Sequence, residues 1–419
     1  MKRLLFKNAR LAGGKITSIL TEGSLIKAVG EDVSDDDAEI IDCKGRLYLL
    51  NGLCDMHVHF RDPGQTHKED ILTGADAAKA GGFTAVACMP NTTPAVDNEE
   101  TIRYIQNKAK ETGIDIIPIA CVTKGMKGEA LADYDNYLAL GIKAISDDGR
   151  PVENAELMRQ ALEKSVSNGL LVTSHCEDLK IINGGIINKG EVSHALGVKG
   201  MDRASEDYIT AREIALAASC GARIHICHVS TKGSVNIIRA AKRDGVRVTC
   251  ETAPHYFTFT DDKLLKRDAD YRMNPPLREE SDRKAIEQAV IDGTIDCIVT
   301  DHAPHTAEEK ADFLTAPNGV VGLETSLSAV LTKLYHTGKL SLTDVQRIMS
   351  QNPRQILGLH ELKIEEGYPA DFTVVDTDLE WTVDKDKLHS KSKNSVFKGK
   401  RLKGRAVMTV SKGEIVYSL

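Results

Sequence analysis

The chain has 419 residues, 27% charged and 41% hydrophobic, with a formal net charge of -7, a balance ordinary for a soluble enzyme. It lacks the basic excess of a nucleic-acid partner, and neither a signal-like start nor an apolar run of bilayer-spanning length is present, so a cytoplasmic protein without a membrane segment is expected. Nine cysteines are scattered without a Cys-x-x-Cys spacing, which points to reduced thiols rather than to a disulfide framework or a thiolate zinc site.

Residues 1–50 show brief β-like runs with Gly13, Gly14 and Gly30 as turns, and the tail from Gly367 is similar. These two ends are expected to pair into one small β domain of residues 1–51 plus 367–419. Between them, short apolar runs alternate with helical patterns. The runs cover 52–60, 83–91, 114–122, 142–148, 170–176, 223–230, 247–255 and 296–304. Helical spacing fills 68–80, stopped by Gly81 and Gly82, and 205–219, stopped by Gly221. Eight β/α units predict an α/β chain folded as a (β/α)8 TIM-like barrel over 52–366, with active-site residues at the C-terminal strand ends. Two long connections, 177–204 and 305–321, read as lids over that face. The basic stretch from Lys385 to Arg405 reads as a solvated loop face.

On the first barrel run, His57 and His59 stand two apart, so both side chains project to one side of a strand and can reach one ion together. His175, His228 and Asp301 end the fifth, sixth and eighth runs, and the pair Asp147 and Asp148 ends the fourth. Strand parity sends one of that pair inward without saying which. Four imidazoles and two carboxylates in register suit zinc, manganese or cobalt, and suffice for two ions sharing a bridge. Glu177, Glu251, His255 and His302 read as supports that orient the ligands.

The motifs Asp55-Met-His-Val-His-Phe-Arg-Asp-Pro-Gly64, Met89-Pro-Asn-Thr92, Ser146-Asp-Asp-Gly149, His175-Cys-Glu-Asp178, Asn274-Pro-Pro-Leu-Arg278 and Asp301-His-Ala-Pro-His305 carry a resemblance to the class I dihydroorotases of the amidohydrolase superfamily. The resemblance implies one zinc ion held by His57, His59 and Asp301, a second held by His175 and His228, and Asp148 bridging them. Many relatives bridge through a carboxylated lysine; Ser146 stands about where that lysine falls, and Lys143 reads as an ordinary barrel residue.

The reaction so implied is the interconversion of N-carbamoyl-L-aspartate and L-dihydroorotate in pyrimidine biosynthesis, through a hydroxide bridging the metals, with Asp301 as general acid and base. Arg61 offers a guanidinium fork to the substrate carboxylate and Asn91 an amide donor. Resemblance adds His59, Asn274, His305, Asn318 and Gly319 as substrate contacts, implies a homodimer, and brings aspartate transcarbamoylase in as a partner of some relatives. Relatives commonly have Phe in place of Asn318, His in place of Tyr256 and Glu in place of Asp62. The alternatives are a hydantoinase or allantoinase, which share the barrel and metal pair, and a partner-dependent subunit of a transcarbamoylase assembly.

Overall fold

The computed structural model describes residues 1–419. Each of the eight apolar runs contributes a strand: Leu53–Val58, Phe83–Cys88, Asp115–Pro118 continued by Ala120–Cys121, Ala144–Ser146, Leu171–Ser174, Ile224–Ile226, Val248–Thr252 and Cys297–Ile298. All pairings among them are parallel. The ring closes where Val58 bridges His302 and the His59 N–H donates to the His302 carbonyl at 2.8 Å. Several strands are shorter than the runs that announce them, because residues such as His59, Asp148, His175, His228 and Asp301 lie just beyond the last ladder position of their strands. The architecture is the expected (β/α)8 barrel.

The two expected helices end on the glycines their sequence carries, but the helix expected over 68–80 begins later, at Ile71, where Asp70 caps it. In Ile71–Gly81 the Asp70 carboxylate accepts from the N–H groups of Leu72 and Thr73, both at 3.0 Å, while Thr73 caps back onto Asp70. Ile71, Ala75 and Ala78 form its buried face, and Gly82 at φ 92° ends it. Ala204–Cys220 stops in the same way at Gly221.

The chain ends build one eight-stranded sheet. Its seam is Tyr48–Asn51 running antiparallel to Phe372–Thr382, with Asn51 opposite Phe372. Leu25 bridges Pro369 and the Ile26 N–H donates to the Tyr368 carbonyl at 2.9 Å, so the far edge curls back and the sheet closes as a small sandwich. Leu4, Phe6, Ile19, Leu49, Phe372 and Val410 fill it. The rings of Phe6 and Phe372 meet edge to face at 5.7 Å.

The 177–204 connection is ordered by the helices Leu179–Ile182 and Glu191–Leu196 and by the pairing of Ile187–Asn188 with Gly200–Met201. The basic stretch departs from a purely solvated face. Lys385, Lys387 and Lys391 point outward, but Ser390, Ser392, Asn394 and Ser395 between and beyond them are buried against the barrel mouth. All nine cysteines are free. No helix is long and apolar enough to cross a membrane.

Candidate metal centre

Six side chains converge at the C-terminal end of the barrel: His57, His59, Asp148, His175, His228 and Asp301. Asp148 sits at the middle. One of its oxygens lies 3.5 Å from His57 Nε2, 3.4 Å from His175 Nδ1 and 3.3 Å from His228 Nε2; the other lies 3.4 Å from His59 Nε2. Asp301 approaches His59 Nε2 at 3.2 Å and His57 Nε2 at 3.7 Å. All six are nearly excluded from solvent. Asp147 turns the other way, its carboxylate taken by the Val122 and Thr123 N–H groups and the Thr123 hydroxyl. The inward member of the pair is therefore Asp148.

Three of the four imidazoles are aimed from behind, while His228 Nδ1 is buried without a partner. His57 Nδ1 lies 2.6 Å from Glu251, His59 Nδ1 lies 2.8 Å from the Asn91 side-chain oxygen, and His175 Nε2 lies 3.3 Å from Glu177. With the N–H groups committed to those acceptors, the remaining nitrogens present lone pairs to the centre. His57 Nε2 is buried without a hydrogen-bond partner, and His175 Nδ1 and His228 Nε2 face each other at 2.9 Å. The donors of His57, His59 and Asp301, and those of His57, Asp148 and His228, each lie within 4.8 Å of one another. An orphaned nitrogen among convergent oxygen and nitrogen donors is the arrangement a borderline divalent cation satisfies.

The electrostatics agree at two of the imidazoles, His57 and His175, whereas burial, helped by the charge of Arg61, keeps His59 below its ordinary value. Burial opposes charging of His57, yet Asp148 and Glu251 outweigh it and hold its pKa well above the ordinary value. At His175 burial is likewise overcome, by Asp148 and Glu177, with a pKa of about 10. A field that favours protons on buried imidazoles equally favours a metal ion in their place.

The remaining expected residues ring this cluster. Arg61, at φ 59°, donates from Nε to the Pro304 carbonyl at 3.3 Å and sets Nη2 3.4 Å from His305. Burial lowers its pKa to about 10, which leaves it charged at neutral pH. The Asn91 oxygen is occupied by His59, so its amide group remains to donate. Asn274 donates to Glu177 at 3.0 Å, leaving its oxygen to accept. His305, held neutral by burial and by the nearby cations Arg61, Lys68 and Lys310, donates from Nε2 to the Asn318 carbonyl at 3.0 Å. The Gly319 N–H is taken by the Arg272 carbonyl at 3.0 Å. Ser146 is buried and donates to the Thr173 carbonyl, and Lys143 is exposed at the opposite end of the barrel.

Sequence reasoning did not anticipate His225, which stands 3.1 Å from Glu251 and so lies behind the carboxylate that aims His57. Nor did it anticipate Asp55, which accepts from the His57 and Thr300 N–H groups, both at 3.0 Å, and ties the first strand end to the eighth. The motif around His57 contains Asp55, but nothing local marks its partner.

Residues 158–417 match the amidohydrolase family, and residues 45–234 match a dihydro-orotase-like family. A protein named dihydroorotase from Trichlorobacter lovleyi is 50% identical over 403 residues, covering 96% of this chain and 94% of that protein. Another from Citrifermentans bemidjiense is 50% identical over 402 residues, covering 95% and 94%. Among solved structures, an L-hydantoinase (dihydropyrimidinase) from Arthrobacter aurescens has a TM-score of 0.88 at 25% identity, covering 100% of this chain and 96% of that chain. Barrel, donor cluster and family match together define a hydrolytic enzyme of the amidohydrolase class, equipped for a metal cofactor. Within that class the chain belongs to the dihydroorotase family.

Proposed function

We propose that the protein is a zinc-dependent dihydroorotase, interconverting N-carbamoyl-L-aspartate and L-dihydroorotate. The observation that carries this reading is a buried, charged Arg61 at the edge of the six-donor cluster, since the extra carboxylate of dihydroorotate needs such a partner. His57, His59 and Asp301 would hold one zinc ion, His175 and His228 a second, with Asp148 shared between them. Bound there, zinc supplies a water acidic enough to lose a proton near neutral pH and polarises the carbonyl to be attacked.

Asp301 moves the proton. Burial alone would raise its pKa, but hydrogen bonding from His59 and the charges of His57 and His228 hold it below the usual carboxylate range, so it begins as a base. In ring opening it takes a proton from the attacking water and delivers it to the departing ring nitrogen; in cyclisation the transfers reverse. Arg61 would grip the carboxylate in a fork. The Asn91 amide group, the Asn274 oxygen and the Asn318 N–H, which has no partner within the chain, would orient the ring. His59, His305 and Gly319 complete the expected contacts. The barrel of residues 52–366 supplies all six ligands, and the β domain of 1–51 and 367–419 supplies none.

Ring opening of L-dihydroorotate with added zinc, run beside Asp301→Ala, tests the proposal. Turnover that vanishes in the variant supports it; a preference for hydantoin or allantoin overturns it. The hydantoinase reading has the TM-score of 0.88 in its favour, but that likeness comes at 25% identity and concerns the fold. A homodimer and an association with aspartate transcarbamoylase are part of the proposal, and size exclusion with and without the transcarbamoylase tests both. An unchanged elution and rate on mixing would count against the association.

A further inference from the structure

The loop from His305 to Val321 carries three of the proposed substrate contacts but no regular secondary structure, so something else must set its shape. The tail segment around 388–398 crosses the barrel mouth beside it. This strap is tied to the first β/α connection, where Ser390 Oγ and the Lys391 N–H donate to Glu69 and Ser392 Oγ donates to the Lys68 carbonyl. It is tied to the eighth unit as well, where the His389 and Ser390 N–H groups donate to Glu324.

Asn394, 3% exposed, lies at the centre of the strap and grips both limbs of the loop. On the outgoing limb its Oδ1 accepts from the His305 N–H at 3.2 Å and its Nδ2 donates to the Ala303 carbonyl at 3.3 Å. On the returning limb Nδ2 donates to the Gly319 carbonyl at 3.0 Å, and the Asn394 carbonyl accepts from the Val321 N–H at 3.1 Å. Only an amide side chain offers an acceptor and two donors at one point. The fit is close: a Cβ on Gly319 would meet the Ala303 carbonyl oxygen at 2.6 Å and His305 Cδ2 at 2.9 Å. The limbs therefore have no slack to take up if the clamp is removed.

We propose that Asn394 is a positioning residue for the reaction: reaching over from the tail, it fixes His305 and the 318–319 backbone in the geometry that receives substrate. This rests on the dihydroorotase reading. It assigns the tail a part in substrate affinity although the tail supplies no metal ligand and no substrate contact.

The test compares wild type, Asn394→Ala and Asn394→Asp with zinc bound, by kcat and KM for L-dihydroorotate across pH, hydrogen exchange of the 303–321 peptide, metal content and thermal stability. Asn394→Ala is expected to raise KM about tenfold with kcat changed by less than about threefold, since the hydrogen bonds lost serve binding rather than proton transfer. Exchange in 303–321 should quicken while the barrel strands keep their protection. In Asn394→Asp an ionised carboxylate faces two carbonyl oxygens, so KM should match the alanine variant at high pH. It should recover toward wild type as pH falls and the carboxyl regains a proton to donate; Asn394→Ala should show no such recovery. Unchanged KM and exchange in Asn394→Ala would overturn the proposal. So would parallel losses of kcat, metal and stability in both variants without recovery at low pH, which would make Asn394 part of the scaffold. A wild type inactive on L-dihydroorotate, with 303–321 still loosened in Asn394→Ala, would sink the dihydroorotase reading and leave the clamp standing.

Discussion

Both ends of the barrel gather charged groups, and they treat them differently. The N-terminal end has a cavity of about 660 Å³ lined in part by Lys143, Arg354, Asp115, Asp371 and Lys412. Its groups do not converge on one point: Lys412 pairs with Asp115 at 2.7 Å, and Arg354 donates to the Thr84 hydroxyl at 2.8 Å while its Nε stays unpartnered. The C-terminal end is tightly filled, yet its imidazole nitrogens point at one another and at Asp148, with His57 Nε2 left unpartnered. Open volume is a poor guide to chemistry. Donors that converge while their protons are committed behind them are a better one.

Substitutions can break or sharpen that contrast. Asp301→Asn should lower kcat by about 10³-fold or more, because it would remove both the proposed proton carrier and the charge of a proposed ligand; steady-state turnover at saturating zinc checks it. Arg61→Met should lower kcat/KM by roughly 100-fold, chiefly through KM, as expected for a buried charged contact to a carboxylate; saturation curves decide. His255 is buried beside the centre with Nε2 unpartnered, and burial, with a further push from His228, brings its pKa down to about 4 despite Asp301. An unfolded chain binds that proton below about pH 6.5 and the folded one only below about 4, so stability falls as pH drops through this window. Denaturation of wild type and His255→Gln at pH 7 and 4.5 should show the wild type losing roughly 2 to 3 kcal/mol more than the variant. At the other end, Lys143→Ala should leave turnover within about twofold and stability within about 0.5 kcal/mol. A large loss there would mean that the N-terminal cavity takes part after all.

Much of this was legible in the sequence, because much of it is local. Gly82 and Gly221 stop their helices whatever lies around them, and the strand ends announce their histidines. The choice between Asp147 and Asp148 was not legible: parity alternates but carries no phase, and the partners that turn Asp147 away, Val122 and Thr123, come 25 and 24 residues earlier. The strap was missed for the same reason. Asn394 meets Gly319 and Ala303 across 75 and 91 residues, and a run of lysines and serines has no periodicity to reveal that alternate side chains turn inward.

The sheet built from both chain ends bears on how the protein is made. Tyr48–Asn51 leaves the ribosome well before Phe372–Thr382, the strand that pairs with it, since the whole barrel lies between them in the chain. Until then Leu49 and Leu50 sit on an open edge, a template for mispairing with other chains. The barrel can assemble in the meantime, whereas the sandwich must wait until the later strands are made. A ribosome that stalls just short of Phe372 would release a chain with its barrel strands complete and a sticky, unfinished β layer, a form that quality control could recognise and remove.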